Sequence, residues 1–345
     1  MNGNRGNYRP PIKRKRRIDG GRVLLMGLAA ALLIAVAIFA VLVGIEFSRL
    51  GGDEPFETPA ESEETPSAEK KFETAEIEIP TSDVHSGLLI LVNEENHYVF
   101  PETSPEVVPI VNGRESHGTS ESGNPIYSYY TQNGIDKCAK MGSDILSAFR
   151  NWTDDFYRAT GNSDLFVFDE DGFRTLDEQA AKYSSKPLDY AEAGASEHHT
   201  GKVVDLYVFT GKVTGKIDDE GFAHIFKWIY ENSYKYGFVH RYPENKVAVT
   251  GVDYEPYHFR YVGYPHAYYM NKQGICLEEY LDLLKSRCTY DAPLEFKADD
   301  GSRYMVYYFP AGEGELTKLT VPADYTYTVS GDNMSGFIVT VEMGK

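Results

Sequence analysis

The sequence predicts an α+β fold in which helices pack on a mainly antiparallel sheet, preceded by one transmembrane helix and followed by a small all-β module. Three observations predict this fold: a long uncharged apolar run near the N-terminus, a central region in which helical and strand periodicities alternate, and a last region that is purely strand-like. With 345 residues, the chain can form one sizeable core and a smaller companion module.

Charge is unevenly distributed along the chain. Residues 1–22 contain eight Lys/Arg and the single acid Asp19, so this segment carries about +7. Because the formal net charge of the whole chain is −18, the remainder carries about −25. Because residues 23–345 are strongly acidic and would repel phosphates, nucleic acid is excluded as their partner. Residues 1–22 are predicted to form a basic cytoplasmic tail.

The apolar run Val23–Ile45 contains no charged residue and, at about 1.5 Å per helical residue, is long enough to cross a bilayer. The basic cluster Lys13–Arg17 precedes it, so the positive-inside rule places the N-terminus in the cytoplasm and the chain after Glu46 outside. We therefore expect a single-pass cell membrane protein anchored through residues 23–45. A cleaved signal peptide is the alternative, although its apolar core usually has only about 7–15 residues.

Residues 46–86 are rich in Glu, Pro, Ser and Thr and poor in sustained apolar pattern. Such a segment buries too little surface to offset the entropy of ordering, so it is predicted to be an acidic, disordered tether. A short Ile/Glu alternation at its end is compatible with an edge strand, but the composition favours a spacer.

Residues 87–290 form the predicted main domain, and the apolar run Leu88–Val92 opens it. Apolar residues at helical spacing predict a first amphipathic helix over 135–157. Gly237 is expected to close a later helix at its C-terminal position. The remaining predicted elements are strands at 165–168, 202–209 and 254–262 and helices at 175–183, 222–236 and 276–287.

Residues 291–345 read as strands separated by Gly, Asp and Asn turns, which predicts a small β module of about fifty residues, near the lower limit for independent stability. The three cysteines are too few for a disulfide scaffold. Cys276 and Cys288 flank a predicted helix and would lie about 18 Å apart by the helix rise, so they cannot pair. The cysteines are interpreted as buried thiols.

The chemistry-bearing residues lie in two segments. His198 stands at the start of a predicted strand, and Asp205 follows seven residues later within it. Glu255 and His258 lie in another predicted strand. A sheet that holds both strands can bring His198, Asp205 and His258 to one ion, and two imidazoles with one carboxylate are typical of a catalytic zinc site. A nearby carboxylate that is not a ligand then takes the proton of a water activated by the ion.

This pattern resembles a known family. Ser196-x-His198-x-x-Gly201-x-x-x-Asp205, followed by Glu255-Pro256-x-His258, is similar to the zinc D-alanyl-D-alanine carboxypeptidases of the VanY type, within the wider group of lysostaphin-like peptidases and hedgehog domains. The resemblance covers residues 86–287 approximately, with four motifs in the family's order. The other matching segments are Asp171–Gln179, Tyr236–Pro243 with Thr250-Gly251, and Phe259–Gly263.

The resemblance implies a role for each matching residue. His198, Asp205 and His258 would bind one Zn²⁺ per catalytic domain, and Glu255 would be the general base. Three further residues would contact the substrate or hold it near the metal: Arg174 by binding the terminal carboxylate with its planar fork, and Gln179 and Ser196 as pocket or supporting groups. His199 is expected to point to the opposite face of an extended segment, away from the metal.

Two residues depart from the family pattern. Val203 stands where the family usually has Ala, and Tyr257 where it usually has Trp. Neither is a predicted ligand, and Tyr257 keeps a flat amphipathic ring for a pocket wall, although the fit of the substrate can differ.

The expected function is removal of the C-terminal D-Ala from peptidoglycan stem peptides ending in D-Ala-D-Ala. A D,D-endopeptidase or a D,D-dipeptidase with the same zinc site is the alternative, because specificity is set by the pocket walls. A catalytically silent wall-binding module is less favoured, since all four motif residues are present. A serine D,D-peptidase is not supported, because Ser67-Ala68-Glu69-Lys70 lies in the tether and no Lys-Thr-Gly follows.

Overall fold

The structure, a computed structural model, describes residues 73–345, which belong to one compact unit. The helices in this part of the chain are α1 (Leu146–Thr160), α2 (Leu176–Ser185), α3 (Ala223–Asn232), α4 (Val247–Thr250), α5 (Tyr264–Gln273) and α6 (Leu277–Arg287). The strands are β1 (Thr74–Pro80), β2 (Val107–Pro109), β3 (Tyr129–Thr131), β4 (Lys140–Gly142), β5 (Leu165–Val167), β6 (Val203–Asp205), β7 (Tyr207–Phe209), β8 (Thr214–Lys216), β9 (Phe238–Tyr242), β10 (Glu255–Tyr261), β11 (Leu294–Lys297), β12 (Arg303–Pro310), β13 (Leu316–Pro322), β14 (Thr326–Gly331) and β15 (Gly336–Glu342).

Two small sheets lie at the centre of the predicted main domain. Strands β6, β10 and β9 form one sheet in that spatial order, and strands β3, β5, β7 and β8 form the other. Strand pairing is antiparallel throughout residues 73–345 except for β3 with β5. The prediction of a mixed helix and sheet fold is therefore confirmed.

The predicted strand over 202–209 is two strands that belong to different sheets. Strand β6 pairs with β10, whereas β7 pairs with β5 and β8. Leu206 lies between them, and its backbone N–H donates to Tyr257 O at 2.9 Å. The chain therefore changes sheets at Leu206 while its apolar pattern continues.

Helix α1 packs against both sheets. Phe149, Trp152 and Phe156 are completely buried, at the helical spacing that predicted the element. The Trp152 ring stacks on Phe238 with centroids 5.0 Å apart, which ties α1 to β9. The helix begins eleven residues later than predicted, because residues 140–142 form β4 and pair with β2.

Other helix predictions differ mainly at the ends. Gly237 has φ 83°, and it closes a 3₁₀ turn that follows α3, as expected for a glycine at that position. Helix α2 begins after Thr175, whose side chain and that of Glu178 form a reciprocal capping box. Helix α5 was not predicted. Cys138, Cys276 and Cys288 are buried free thiols, as predicted.

The prediction that the disordered tether extends to residue 86 is wrong, because residues 74–80 form strand β1. Strand β1 pairs antiparallel with β13 over its whole length, with Ile77 opposite Leu319. Its alternating residues Ala75, Ile77 and Ile79 are half-buried against the apolar cluster of the C-terminal strands. This burial offsets the ordering entropy that the composition alone cannot offset.

The C-terminal strands are joined to the preceding helices as well as to β1. Strands β11, β12, β15 and β14 form one sheet in that order. Val306 and Ile338 of this sheet share an apolar cluster with Leu281 and Leu284 of α6. The predicted tail at 1–22, the transmembrane helix at 23–45 and most of the tether lie outside the described residues. Within residues 73–345, no helix combines the length and apolar character that crossing a bilayer requires.

Candidate active site

Strands β6 and β10 bring two of the predicted metal ligands together. In their antiparallel register Asp205 lies directly opposite His258. Both side chains point to the same side of the sheet, as cross-strand partners do. His258 Nδ1 lies 2.9 Å from Asp205 Oδ1. Pairing of two segments that are distant in sequence therefore places an imidazole next to a carboxylate.

The third predicted ligand, His198, lies in a 3₁₀ turn over Glu197–Thr200 rather than at the start of a strand. The Ser196 hydroxyl accepts from His198 N at 3.4 Å and caps this turn. Gly201 ends it at φ 68°, a left-handed conformation that glycine adopts without strain, and β6 begins two residues later. The turn brings His198 Nε2 to 3.4 Å from Asp205 Oδ2.

A backbone carbonyl orients the His198 ring. His198 Nδ1 lies 2.6 Å from Gly172 O, so Nδ1 carries the proton and the Nε2 lone pair faces Asp205. A side chain at residue 172 would overlap the Lys140 carbonyl oxygen, which explains the glycine there. His199 points elsewhere: its Nδ1 lies 2.8 Å from Arg174 O and its Nε2 accepts from Gly194 N. The expectation that His199 points away from the metal group agrees with this geometry, although the segment is a turn.

The structure groups His198, Asp205 and His258 so that one ligand atom from each lies within 4.8 Å of the others. All three side chains are buried. Asp205 Oδ1 is buried, and apart from its 2.9 Å approach to His258 Nδ1 it has no hydrogen-bond partner among the described residues. Two imidazole nitrogens and one carboxylate, converging on one point, fit a zinc ion with a coordination position left open.

Electrostatics around this group separate the two histidines. Burial, helped by the Arg174 guanidinium, lowers the pKa of His198 to about 4. Burial also disfavours the charged form of His258, but Asp205 outweighs it and raises the pKa of His258 to about 10. Burial opposes ionisation of Asp205, yet the two histidines hold the pKa of that carboxyl well below its usual range. The pocket is thus arranged around a carboxylate that stays ionised.

Glu255, the predicted general base, lies at the rim of this group. Its Oε2 is 3.5 Å from His258 Nδ1, and a quarter of its side chain is exposed. Residues three apart in a regular strand point to opposite faces, but the pairing of β10 with β9 shifts register between Glu255 and Phe259, which allows Glu255 to face the same way as His258. Burial raises the pKa of Glu255 to about 7, a value suited to a base near neutral pH.

Arg174 approaches the group at Asp205 Oδ2, the carboxylate oxygen that also faces His198. Its Nη2 lies 3.5 Å from Asp205 Oδ2, its Nε donates to Glu170 O and its Nη1 donates to Gln179 Oε1. Gln179 in turn donates from Nε2 to Ala191 O. Arg174 is therefore held on two sides and keeps Nη2 close to the metal group. Gln179 and Ser196 contact parts of the site, as a bracing side chain and a turn cap respectively.

Sequence reasoning missed two acidic residues of the site. Asp171 accepts at its backbone O from Asp205 N, and burial together with the charge of Asp205 raises the pKa of Asp171 to about 7. Glu197 is buried next to His258 and is paired with Arg241 and Arg260. Arginines at two positions of strongly apolar strand patterns were the available signal, because a buried guanidinium requires a carboxylate partner.

The two departures from the family pattern lie beside the ligands. Val203 is buried in β6 opposite Arg260, where the added methyl groups fill core space. The half-buried Tyr257 ring stacks on Tyr207 with centroids 5.0 Å apart. This stacking fixes the Tyr257 ring next to the ligand His258.

The chain is similar to known D-alanyl-D-alanine carboxypeptidases. The family model described as D-alanyl-D-alanine carboxypeptidase (VanY) matches residues 136–264, which include all the predicted site residues. A D-alanyl-D-alanine carboxypeptidase of Enterococcus faecium is 33% identical over 275 residues, covering 79% of this chain and 80% of the relative. The bifunctional D-Ala-D-Ala dipeptidase and carboxypeptidase VanXYC of Enterococcus gallinarum is 38% identical over 141 residues, covering 37% of this chain and 72% of the relative.

The fold has a matching solved structure. The vancomycin resistance D,D-dipeptidase VanXYg, in complex with a D-Ala-D-Ala phosphinate analogue, aligns with a TM-score of 0.63 and 25% identity. The alignment covers 78% of this chain and 99% of that chain. Together with the extent of the match to the Enterococcus faecium enzyme, this shows that the chain belongs to the VanY family of D-alanyl-D-alanine carboxypeptidases, which are zinc metallopeptidases and hydrolases.

Proposed function

We propose that this protein is a membrane-anchored zinc carboxypeptidase that removes the C-terminal D-Ala from peptidoglycan stem peptides ending in D-Ala-D-Ala. The observation that carries the proposal is the convergence of His198, Asp205 and His258 within 4.8 Å, with Glu255 beside them at a partly exposed rim. The uncharged run at 23–45 after a basic cluster supports the anchor, with the catalytic domain outside the cell membrane.

His198, Asp205 and His258 would hold the zinc ion. When bound, the ion polarises the scissile carbonyl and makes water more acidic. Glu255 takes the proton of the attacking water, since its carboxylate faces the ligand group and its pKa of about 7 allows it to accept a proton near neutral pH. It then delivers that proton to the amine of the departing D-Ala.

Arg174 binds the substrate. Its planar fork suits the terminal carboxylate, the role that the family resemblance implies for it. Nη2 lies 3.5 Å from Asp205 Oδ2, so a substrate oxygen bound by Nη2 lies next to the metal ligands. Gln179 keeps the guanidinium in that orientation through its contact with Nη1. Ser196 supports the site by capping the turn that carries His198.

A second candidate is cleavage of free D-Ala-D-Ala, because two of the similar proteins, VanXYC and VanXYg, are known as D-Ala-D-Ala or D,D-dipeptidases. The ligand set and the base serve both reactions, so the pocket walls decide between them. A third candidate is an endopeptidase, whose substrates would be cross-linked peptides.

The test is cleavage of three substrates by the full chain: D-alanine is measured as the product of a stem pentapeptide and of free D-Ala-D-Ala, and separated stem peptides are measured as the product of a cross-linked dimer. Release from the pentapeptide should be fastest in zinc-loaded wild type. Glu255→Gln should retain zinc but lose activity by about 10²–10⁴-fold, the usual contribution of general base catalysis. Glu295→Gln, an exposed strand position, is the matched control.

The outcomes separate the candidates. Faster cleavage of the free dipeptide would establish the dipeptidase, and faster cleavage of the dimer would establish the endopeptidase. A protein that binds zinc and cleaves none of the three substrates would overturn the proposed function.

A further inference from the structure

We propose that Glu197 is a positioning residue that keeps His258 in the orientation and tautomer in which Nδ1 can bind zinc. This inference rests on the proposed function, because it requires His258 to be a metal ligand. Glu197 is the residue before His198, so one 3₁₀ turn presents a ligand and also the support of a second ligand.

The two nitrogens of the His258 ring face two different carboxylates. Nδ1 lies 2.9 Å from Asp205 Oδ1, on the side of the metal group, and Nε2 lies 3.5 Å from Glu197 Oε2. A neutral imidazole has one N–H and one lone pair, so Nδ1 is a ligand only when Nε2 carries the proton. A carboxylate next to Nε2 accepts that proton's hydrogen bond and favours this tautomer.

Neither atom of the Nε2 contact has another partner in the described part of the chain. Glu197 Oε2 and His258 Nε2 are both buried, and neither has a well-formed hydrogen bond to a described residue. At 3.5 Å they face each other at the outer limit of such a bond. Because buried polar atoms form hydrogen bonds where they can, we expect the contact between Nε2 and Oε2 to shorten when zinc binds Nδ1 on the other side of the ring.

The other oxygen of Glu197 is committed to two buried arginines. Arg241 Nε donates to Glu197 Oε1 at 2.9 Å, and Arg260 Nη1 lies 3.4 Å from the same oxygen. A fully buried carboxylate is stable only with such compensation. Both arginines contact Oε1, so Oε2 is the oxygen that faces His258 Nε2. A carboxylate that only balanced the charge of the arginines would not need an oxygen directed at a metal ligand.

The arginines are held in turn by distant parts of the fold. Arg241 makes two bonds to the carboxylate of Glu278 on α6, at 2.7 and 2.8 Å. Arg260 Nη2 donates to Leu88 O and Ile90 O in the segment that opens the main domain. Each arginine therefore has anchors of its own, and Arg260 holds Glu197 Oε1 independently of Glu278, so Glu197 keeps a buried cation when the contact between Arg241 and Glu278 is weakened.

Three variants of the full chain test this role: Glu197→Asp, Glu197→Gln and the control Glu278→Gln. Glu197→Asp keeps the charge facing the arginines but withdraws the carboxylate from His258, and Glu197→Gln keeps the length but removes the charge. Glu278→Gln disturbs the same arginine without touching a ligand. The measurements are zinc affinity by chelator competition and thermal unfolding of the metal-free proteins.

Both Glu197 variants should lose zinc affinity by about 10–100-fold, the usual effect of removing the partner of a metal-bound histidine. Glu278→Gln should lower the unfolding temperature but keep zinc affinity close to wild type. In zinc-loaded protein with ¹⁵N-labelled histidine, a slowly exchanging Nε2–H signal of His258 should be present in wild type and lost in Glu197→Asp.

The outcomes distinguish this inference from the proposed function. Unchanged zinc affinity in both Glu197 variants, or an equal loss in Glu278→Gln, would overturn the positioning role alone. Wild-type protein that binds no zinc would overturn the proposed function and this role with it.

Discussion

Asp205 and His258 lie opposite each other in the antiparallel pair β6–β10, with Oδ1 and Nδ1 2.9 Å apart. A one-residue slip of this register would turn one of the two side chains to the other face of the sheet. The metal group is therefore as rigid as the pairing of these strands, and His198 completes it from a capped turn beside β6.

Asp205→Asn should abolish tight zinc binding, because the amide lacks the charge that offsets the ion and holds both histidines. Zinc should raise the unfolding temperature of wild type in a concentration-dependent way, since it binds only the folded protein. The same titration with Asp205→Asn should give no shift. Asp282→Asn, an exposed position on α6, should behave like wild type, and a zinc-dependent shift in Asp205→Asn would contradict the ligand assignment.

Arg174→Lys should reduce kcat/KM by at least about 100-fold while zinc content stays at the wild-type level. Lysine keeps the positive charge but lacks the planar fork that contacts Gln179, Glu170 O and the substrate together. Steady-state kinetics on the stem pentapeptide measure the change, and zinc content is measured on the same samples. Arg158→Lys, an exposed position on α1, is the control, and near-normal kinetics in Arg174→Lys would exclude a substrate-binding role.

Strand β1 should contribute to stability. Ile77→Ala should lower the free energy of unfolding by about 1–2 kcal/mol, because Ile77 is half-buried against the C-terminal strands. Glu78→Ala, on the exposed face of the same strand, should change it by less than about 0.5 kcal/mol. Chemical denaturation measures both values. Equal effects of the two substitutions would show that β1 does not pack as described.

His266 should make the fold sensitive to acid. This residue of α5 is buried, with its Nδ1 2.9 Å from Tyr280 Oη and its Nε2 3.2 Å from Thr340 Oγ1, and burial lowers its pKa to about 3. In the unfolded chain the His266 imidazole is protonated as pH falls below about 6.5, whereas in the folded protein it stays neutral down to about pH 3. The stability contributed by neutral His266 is therefore fully present above pH 6.5 and is lost as pH falls towards 3.

The slope of the free energy of unfolding against pH, between 6.5 and 4, should be smaller in His266→Gln than in wild type by up to about 1.4 kcal/mol per pH unit. His266→Gln is expected to be less stable at pH 7, since it loses two buried contacts, so the slope rather than the absolute value is compared. His224→Gln, an exposed position, should keep the wild-type slope. An unchanged slope in His266→Gln would mean that this ring is charged in the folded protein.

Much of the site could be predicted from the sequence because its chemistry is local in sequence. The residue types and the spacing of His198 and Asp205, and of Glu255 and His258, predicted a zinc site and indicated the family. Amphipathic periodicity predicted α1 through Phe149, Trp152 and Phe156, since a helix that packs on a sheet must bury one face.

Only the tertiary structure decided how these segments meet. Pairing of β1 with β13, the change of sheets at Leu206 and the register shift before Phe259 join residues that are distant along the chain or depend on a neighbouring strand. The role of Glu197 appears in the same way, because its partners Arg241, Arg260 and His258 come from two other strands. Residue types and periodicity determine which groups are available and which faces are buried, whereas strand register and buried ion pairing depend on contacts that no local pattern encodes.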